Sequence, residues 1–203
     1  MFDYESVAAI EGRKVLNGAF GVEKSGTPTP PATRLLRLII NMIPSNSAQL
    51  PIDGDIEIMP VGGEWLVATL GPRETMLWSS EDIKGCFHIF KLPEVWRPWM
   101  ALSKPVAGPV LGRPAGTQCW LSVRVVPMGW LSAVGVVQHL NRRLLGAGAP
   151  GAAGLADATE LRRDHEFPCR FHELPRQWWR VYVDNFDLAE VLQRDAAAAE
   201  KAA

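Results

Sequence analysis

The stretch WWRVYVDNFD (residues 178–187) is the most hydrophobic strand candidate in the chain, and it ends in an acid, an amide, an aromatic and a second acid. Aromatic and β-branched residues in a short run favour a pleated, half-buried strand. A carboxylate drawn out of water at the end of such a strand is costly unless it meets a hydrogen-bond donor, a cation or a metal. Asp184 therefore needs a partner. The same question arises in MLWSSEDIKGCF (residues 76–87), where a strand candidate ends at Asp82. Taken singly, either residue reads as a turn aspartate. Brought together, the pair suits magnesium, which prefers carboxylate oxygens and keeps several waters for substrate phosphates to replace. Two such ions, about 3.5–4 Å apart, can hold the attacking and leaving oxygens of an in-line phosphoryl transfer. Beyond Asp184, Asp187 and Glu190 make a capping-box pattern that predicts a last helix from Leu188 to about Arg194.

Composition bounds the rest. With 203 residues, 47% of them hydrophobic, the chain can bury one sizeable core, or one domain and a smaller lobe. Lys and Arg number 21 against 22 Asp and Glu, a net charge of -1, so no global basic field recruits nucleic acid or a membrane surface. Any polyanion site must be local. The cysteines, Cys86, Cys119 and Cys169, are odd in number and widely spaced, which favours a reducing compartment over a disulfide framework. The N-terminal MFDYESVAAIEGRK has acids where a signal peptide has bases, and no apolar run reaches the roughly 18 residues of a membrane span. The expectation is an intracellular chain, cytoplasmic or nuclear, neither secreted nor membrane-bound.

Proline and glycine mark the joints. KSGTPTPPATR (residues 24–34) reads as a loop, followed by LLRLIINMI as a buried strand. Alternation around Ile56 and Ile58 suggests an edge strand or hairpin. MALSKPVAGPVLGRPAGTQCWLSVRVV reads as two strands joined by a Pro/Gly turn; in its second half Cys119, Leu121, Val123 and Val125 alternate with polar or aromatic neighbours. From Ser132 the period becomes helical: Ala133, Val137, Leu140 and Leu144 share a face, with Gln138, His139, Arg142 and Arg143 opposite and Ser132 as the cap. Gly135 in that helix costs about 1 kcal/mol against alanine unless something packs closely there. GAGAPGAAGLADA (residues 146–158) reads as a flexible surface insertion, and the alanine-rich tail (195–203) as frayed.

In this order, EDIKGCF, VPMGWLSAVGVVQ and YVDN resemble the three palm motifs of reverse transcriptases of the retrovirus and long-terminal-repeat retrotransposon kind. Asp82 with Phe87 five residues on matches the first. Pro127, Met128 and Gly129 before a helix match the second, with Met128 where the family usually has glutamine. Tyr182, Val183, Asp184 and Asn185 match the third, with Asn185 in place of its second acid. FGVEKSG and LRLIINMIPSN resemble the fingers strands, Asn46 closing that segment, and RPWMALSKP resembles the strand after the first motif. The resemblance spans about residues 18–192.

It implies an α+β fold: a polymerase palm, a ferredoxin-like antiparallel sheet with helices on one face, plus partial fingers and no thumb. The corresponding division is an N-terminal extension (1–17), a fingers-like segment (18–75) and a palm (76–194) with motifs at 82–87, 126–138 and 182–185. It implies RNA-directed DNA polymerisation on an RNA or DNA template-primer with deoxynucleoside triphosphates. Asp82 and Asp184 would be catalytic and bind Mg²⁺ or Mn²⁺, with the Ile83 carbonyl and Asn185 as further ligands. Lys24 and Arg37 would neutralise the triphosphate, Phe87 would exclude a 2′-hydroxyl, and Met128 and Gly129 would meet nucleotide or template, glycine permitting close approach. Tyr182, Val183 and Pro127 would support the motifs.

Asn185 keeps an acceptor oxygen but not the charge, which should weaken metal binding. The sequence ends soon after the third motif, so a further polypeptide region is expected to supply the thumb and RNase H. An alternative reading is a catalytically degenerate palm that acts only as a nucleic-acid-binding or interaction module. A third is a small-molecule enzyme on an unrelated α+β fold. Other constellations are weaker. Cys169 and His172 in CRFH form half of a zinc spacing with no second pair, and His88, His139 and His165 are scattered. Five of the eight tryptophans, Trp78, Trp120, Trp130, Trp178 and Trp179, lie in or beside buried-strand patterns and read as core. Lys84 and Asn141–Arg143 read as solvated surface rather than phosphate contacts.

Overall fold

The computed structural model describes residues 2–23, 36–166 and 177–193. Its elements in chain order are β1 (Ala9–Ile10), β2 (Arg13–Lys14), β3 (Gly18–Glu23), β4 (Leu36–Asn41), α1 (Ile43–Asn46), β5 (Glu74–Asp82), α2 (Cys86–Ile89), β6 (Ala101–Ala107), β7 (Gln118–Ser122), α3 (Ala133–Ala147), β8 (Gln177–Tyr182) and β9 (Asn185–Gln193). The fold is α+β with small antiparallel sheets. It divides into two compact units, Met1–Pro51 with Phe87–Ala133, and Ile52–Cys86 with Val134–Ala203.

In the first unit β3 pairs with β4 from Gly18↔Asn41 to Glu23↔Leu36, and β6 pairs with β7 across a bulge between Ala101 and Pro105. Both strands expected from the Pro/Gly-joined segment form. The LLRLIINMI strand forms as well, but it is not buried: Leu36 and Leu38 are 59% and 67% exposed. Among the described residues it lies in a two-stranded ribbon, with no third strand paired to it. The core is Val7, Val15, Met42, Met100, Cys119, Val126 and Trp130. At its centre Asn17 is fully buried. Its amide donates to the carbonyls of Trp99 and Ala101, and its oxygen accepts from the N–H and hydroxyl of Ser45, using all four bonding positions of the side chain.

The second unit is built on a three-stranded sheet in the order β5-β9-β8. Its central strand corrects the expected C-terminal helix: β9 runs to Gln193, and Arg194 lies outside the described residues. Asp187, Ala189 and Val191 are buried at alternate positions, so this segment has the period of a strand; pairing on both sides outweighs a local capping signal. One face packs Trp178 and Val191 against Leu161, Trp65 and Ala68. Trp78 is 44% exposed rather than core, its ring tilted against Trp65 with centroids 4.2 Å apart.

α3 forms where the period changed, with buried Ser132 just before it, but the expected faces are corrected. Gln138 and Asn141 are buried and Leu144 is 59% exposed. Gly135 has the close neighbour that its place in a helix requires: a Cβ there would lie 3.3 Å from the Cα of Gly54, and the N–H of Asp55 donates to the Gly135 carbonyl at 3.2 Å. Next to this contact, residues 55–58 form a turn rather than the expected strand or hairpin. The segment 146–158 begins inside α3, which runs to Ala147, and then folds back on that helix, Leu155 N–H bonding the Leu145 carbonyl at 2.9 Å. The 24–34 loop, Cys169, His172 and the 195–203 tail lie outside the described residues.

Candidate functional site

Asp82 is the last residue of β5 and stands opposite Asn185, the first of β9. Asp184 occupies the two-residue connection between β8 and β9, and its carbonyl accepts the Ile83 N–H at 2.7 Å. The two acids therefore sit at adjacent strand ends of one sheet, Asp82 exposed and Asp184 half-buried. The Ile83 carbonyl accepts the Cys86 N–H at 3.0 Å and keeps its second lone pair. Tyr182, at the end of β8, pairs with Asn185 and is exposed.

Val183 has φ +56°, a left-handed conformation that costs a β-branched residue about 1–2 kcal/mol. Two amides on α3 hold it there. Gln138 Oε1 accepts the Val183 N–H at 2.7 Å, while its Nε2 donates to the Val181 carbonyl at 2.8 Å. The side chain thus plays the part of a neighbouring strand's peptide at the outer edge of β8. Asn141 Nδ2 donates to the Val183 carbonyl at 2.7 Å and to the Cys86 sulfur at 3.1 Å. Burial pushes the Cys86 thiol up; the Asn141 hydrogen bond pulls it down, and the negative charges of Asp184 and Asp82 add to the rise. The helical pattern of the sequence sets Gln138 on the solvent face and gives neither amide a role in the site. Their spacing with Ala133 and Val137 on one helical stripe is the signal that could have found them.

Asn185 is tied into the sheet. Its Nδ2 donates to Asp187 Oδ1 at 3.1 Å, and its Oδ1 accepts from the Ser80 hydroxyl at 3.2 Å. Asp187 is 2% exposed, lies between Ser80 and Arg180 in cross-strand register, and forms an ion pair with Arg180 Nε at 2.7 Å. Burial alone would raise the Asp187 carboxyl. The nearby Ser80 hydroxyl, the hydrogen bond and charge of Arg180, and the Asn185 amide bring it below the ordinary carboxylate range. The Arg180 guanidinium in turn lies 5.4 Å from the Trp65 ring centroid.

The remaining sequence-designated residues belong to the first unit or lie outside the described residues. Gly129 has φ +97°, and a Cβ there would lie 3.3 Å from the Ile40 carbonyl, so glycine is required. Asn46 clamps this loop, donating to the Gly129 carbonyl and accepting from the Leu131 N–H, each at 2.9 Å. Trp130 Nε1 adds a bond to Gln49 at 2.8 Å. Pro127 is buried beside Met128, which stands 60% exposed. Arg37 is exposed on β4, Phe87 is half-buried in α2, and Lys24 lies outside the described residues.

A separate cavity of about 890 Å³ in the second unit is lined in part by His139, Arg142, Arg143, Asp55, Glu160 and Trp179. Arg142 bonds two acids here through all three of its nitrogens: it makes a bidentate pair with the buried Glu160, including Nη2 to Oε2 at 2.6 Å, and bonds Asp55. His139 lies 3.2 Å from Asp55. Buried charges of this kind are matched internally, fastening the 155–162 segment and the Asp55 turn to α3.

Among the described residues no three His, Cys, Asp or Glu side chains gather into a metal-binding cluster. Among the same residues no helix is long and apolar enough to cross a membrane. No protein-family model and no curated protein matches the chain.

Proposed function

We propose that the chain is the palm and part of the fingers of a retroelement RNA-directed DNA polymerase, adding deoxynucleotides to a primer 3′-hydroxyl. The observation that carries this reading is the meeting of Asp82 and Asp184. They come from separate motif-like segments, and the Ile83–Asp184 hydrogen bond joins their strand ends. The donor set suits the expected cation: two carboxylates and a backbone carbonyl are hard oxygens, open on the solvent side, which is what Mg²⁺ or Mn²⁺ takes when it retains waters. When bound, such a cation supplies charge neutralisation and Lewis-acid polarisation for phosphoryl transfer.

The chain's own residues do the positioning. Gln138 and Asn141 hold Asp184 in place through Val183. In this reading Phe87 excludes ribonucleotides, Arg37 and Lys24 bind the triphosphate, and Met128 and Gly129 meet the template or nucleotide. The test is primer extension on a primed RNA template with Mg²⁺ or Mn²⁺, wild type against Asp184→Ala. Extension lost in the variant is the expected result. A folded preparation with no cation-dependent nucleotide addition counts against the reading.

A second reading, a catalytically degenerate palm that binds nucleic acid or a partner, is favoured by Asn185, whose amide is engaged by Ser80 and Asp187 and leaves two carboxylates at the strand ends. Nucleic-acid binding without extension would select it.

A further inference from the structure

The substitution of amide for acid at position 185 has a visible neighbour. A carboxylate only accepts hydrogen bonds, so Asp187, 3.1 Å away, takes the Nδ2 end of Asn185 and turns Oδ1 toward Ser80 on β5, the strand whose last residue is Asp82. Asp187 cannot move off: it is buried, and Arg180 and Ser80 flank it from the strands on either side. An acid at 185 would place a second carboxylate against Asp187 on the same face of the same strand.

We propose that Asp187 is a positioning residue that makes an amide obligatory at 185, so that the cation site assigned above carries two carboxylates and no third. The coupling between 185 and 187 stands on the hydrogen-bond geometry; its consequence for cation binding rests on the polymerase reading.

The experiment introduces Asn185→Asp in two backgrounds, the native Asp187 and the variant Asp187→Asn, and reads thermal unfolding without metal and Mn²⁺ affinity by electron paramagnetic resonance. With Asp187 present, Asn185→Asp should lower Tm by about 5 °C or more and gain little affinity, because like charges in contact destabilise. In the Asp187→Asn background, the same change should leave Tm level or higher and tighten Mn²⁺ by about tenfold, since ligand charge count sets affinity. Comparing the same substitution in each background removes the cost of leaving Arg180 without its acid. An equal Tm effect in both backgrounds would overturn the proposal, as would a Mn²⁺ gain of equal size in both. If instead wild type and Asp184→Ala bind Mn²⁺ alike, the polymerase reading fails while the Tm coupling, which needs no cation, still stands or falls by itself.

Discussion

Gln138 holds Val183 by its backbone, accepting the N–H at 2.7 Å while its amide donates to the carbonyl two residues earlier. One buried side chain thereby completes the outer edge of β8 at the point where the chain turns into Asp184. Replacing Gln138 by leucine keeps the volume and removes both bonds, leaving a buried N–H and a buried carbonyl unpaired. At about 1–3 kcal/mol for each orphaned group, Gln138→Leu should cost about 2–6 kcal/mol in urea unfolding. Gln138→Glu keeps the acceptor for Val183 and should lower Mn²⁺ affinity less than the leucine variant does.

Cys86 lies behind the same hairpin at 1% exposure, its thiol pushed up mainly by burial. Alkylation with iodoacetamide at pH 8, followed by peptide mapping, should find it modified at least about tenfold more slowly than in the urea-unfolded chain. Asn141→Ala removes the hydrogen bond that pulls the thiol down, and should slow the reaction of the folded chain further.

Gly54 and Gly135 meet backbone to backbone, and the contact is asymmetric. A Cβ on Gly54 would overlap the Gly135 carbonyl, whereas one on Gly135 meets its nearest Gly54 atom at 3.3 Å. Gly54→Ala should therefore cost about 3 kcal/mol. Gly135→Ala should cost less, because helix propensity returns about 1 kcal/mol. Thermal denaturation of the two variants side by side checks the order.

Burial by itself would raise the Asp55 carboxyl, but Arg142 and His139 bring it below its ordinary value. A carboxyl held lower in the folded chain than in the unfolded one contributes stability above the unfolded value, near about pH 3.9, and loses it as pH falls through the folded value. Asp55→Asn should thus lower Tm at about pH 6–7. The wild-type and variant curves should converge on acidification below about pH 4. A constant gap down to about pH 2 would mean that the ion pairs contribute nothing.

What could be read from sequence was local. The strands ending at Asp82 and Tyr182 and the helix after Ser132 declare themselves by period and by abrupt ends in polar residues. β9 did not, because Asp187 and Glu190 imitate a helix start and only pairing with β5 and β8 overrides it. The helix amides were misread for a related reason: glutamine and asparagine look solvent-facing until a strand edge with unpaired backbone groups is set against them. The ion pairs of Arg142 join residues far apart in the chain and left no local trace.

The order of the sheet has a consequence for how the chain is made. β5 leaves the ribosome complete at Asp82, but the strand that will lie beside it does not begin until Asn185. At about 5–20 residues per second, β5 waits roughly 5–20 s in translation with Leu77 and Trp78 exposed and its backbone unpaired. Through that interval a chaperone, or the β5 of a neighbouring nascent chain, competes with β9 for the same edge.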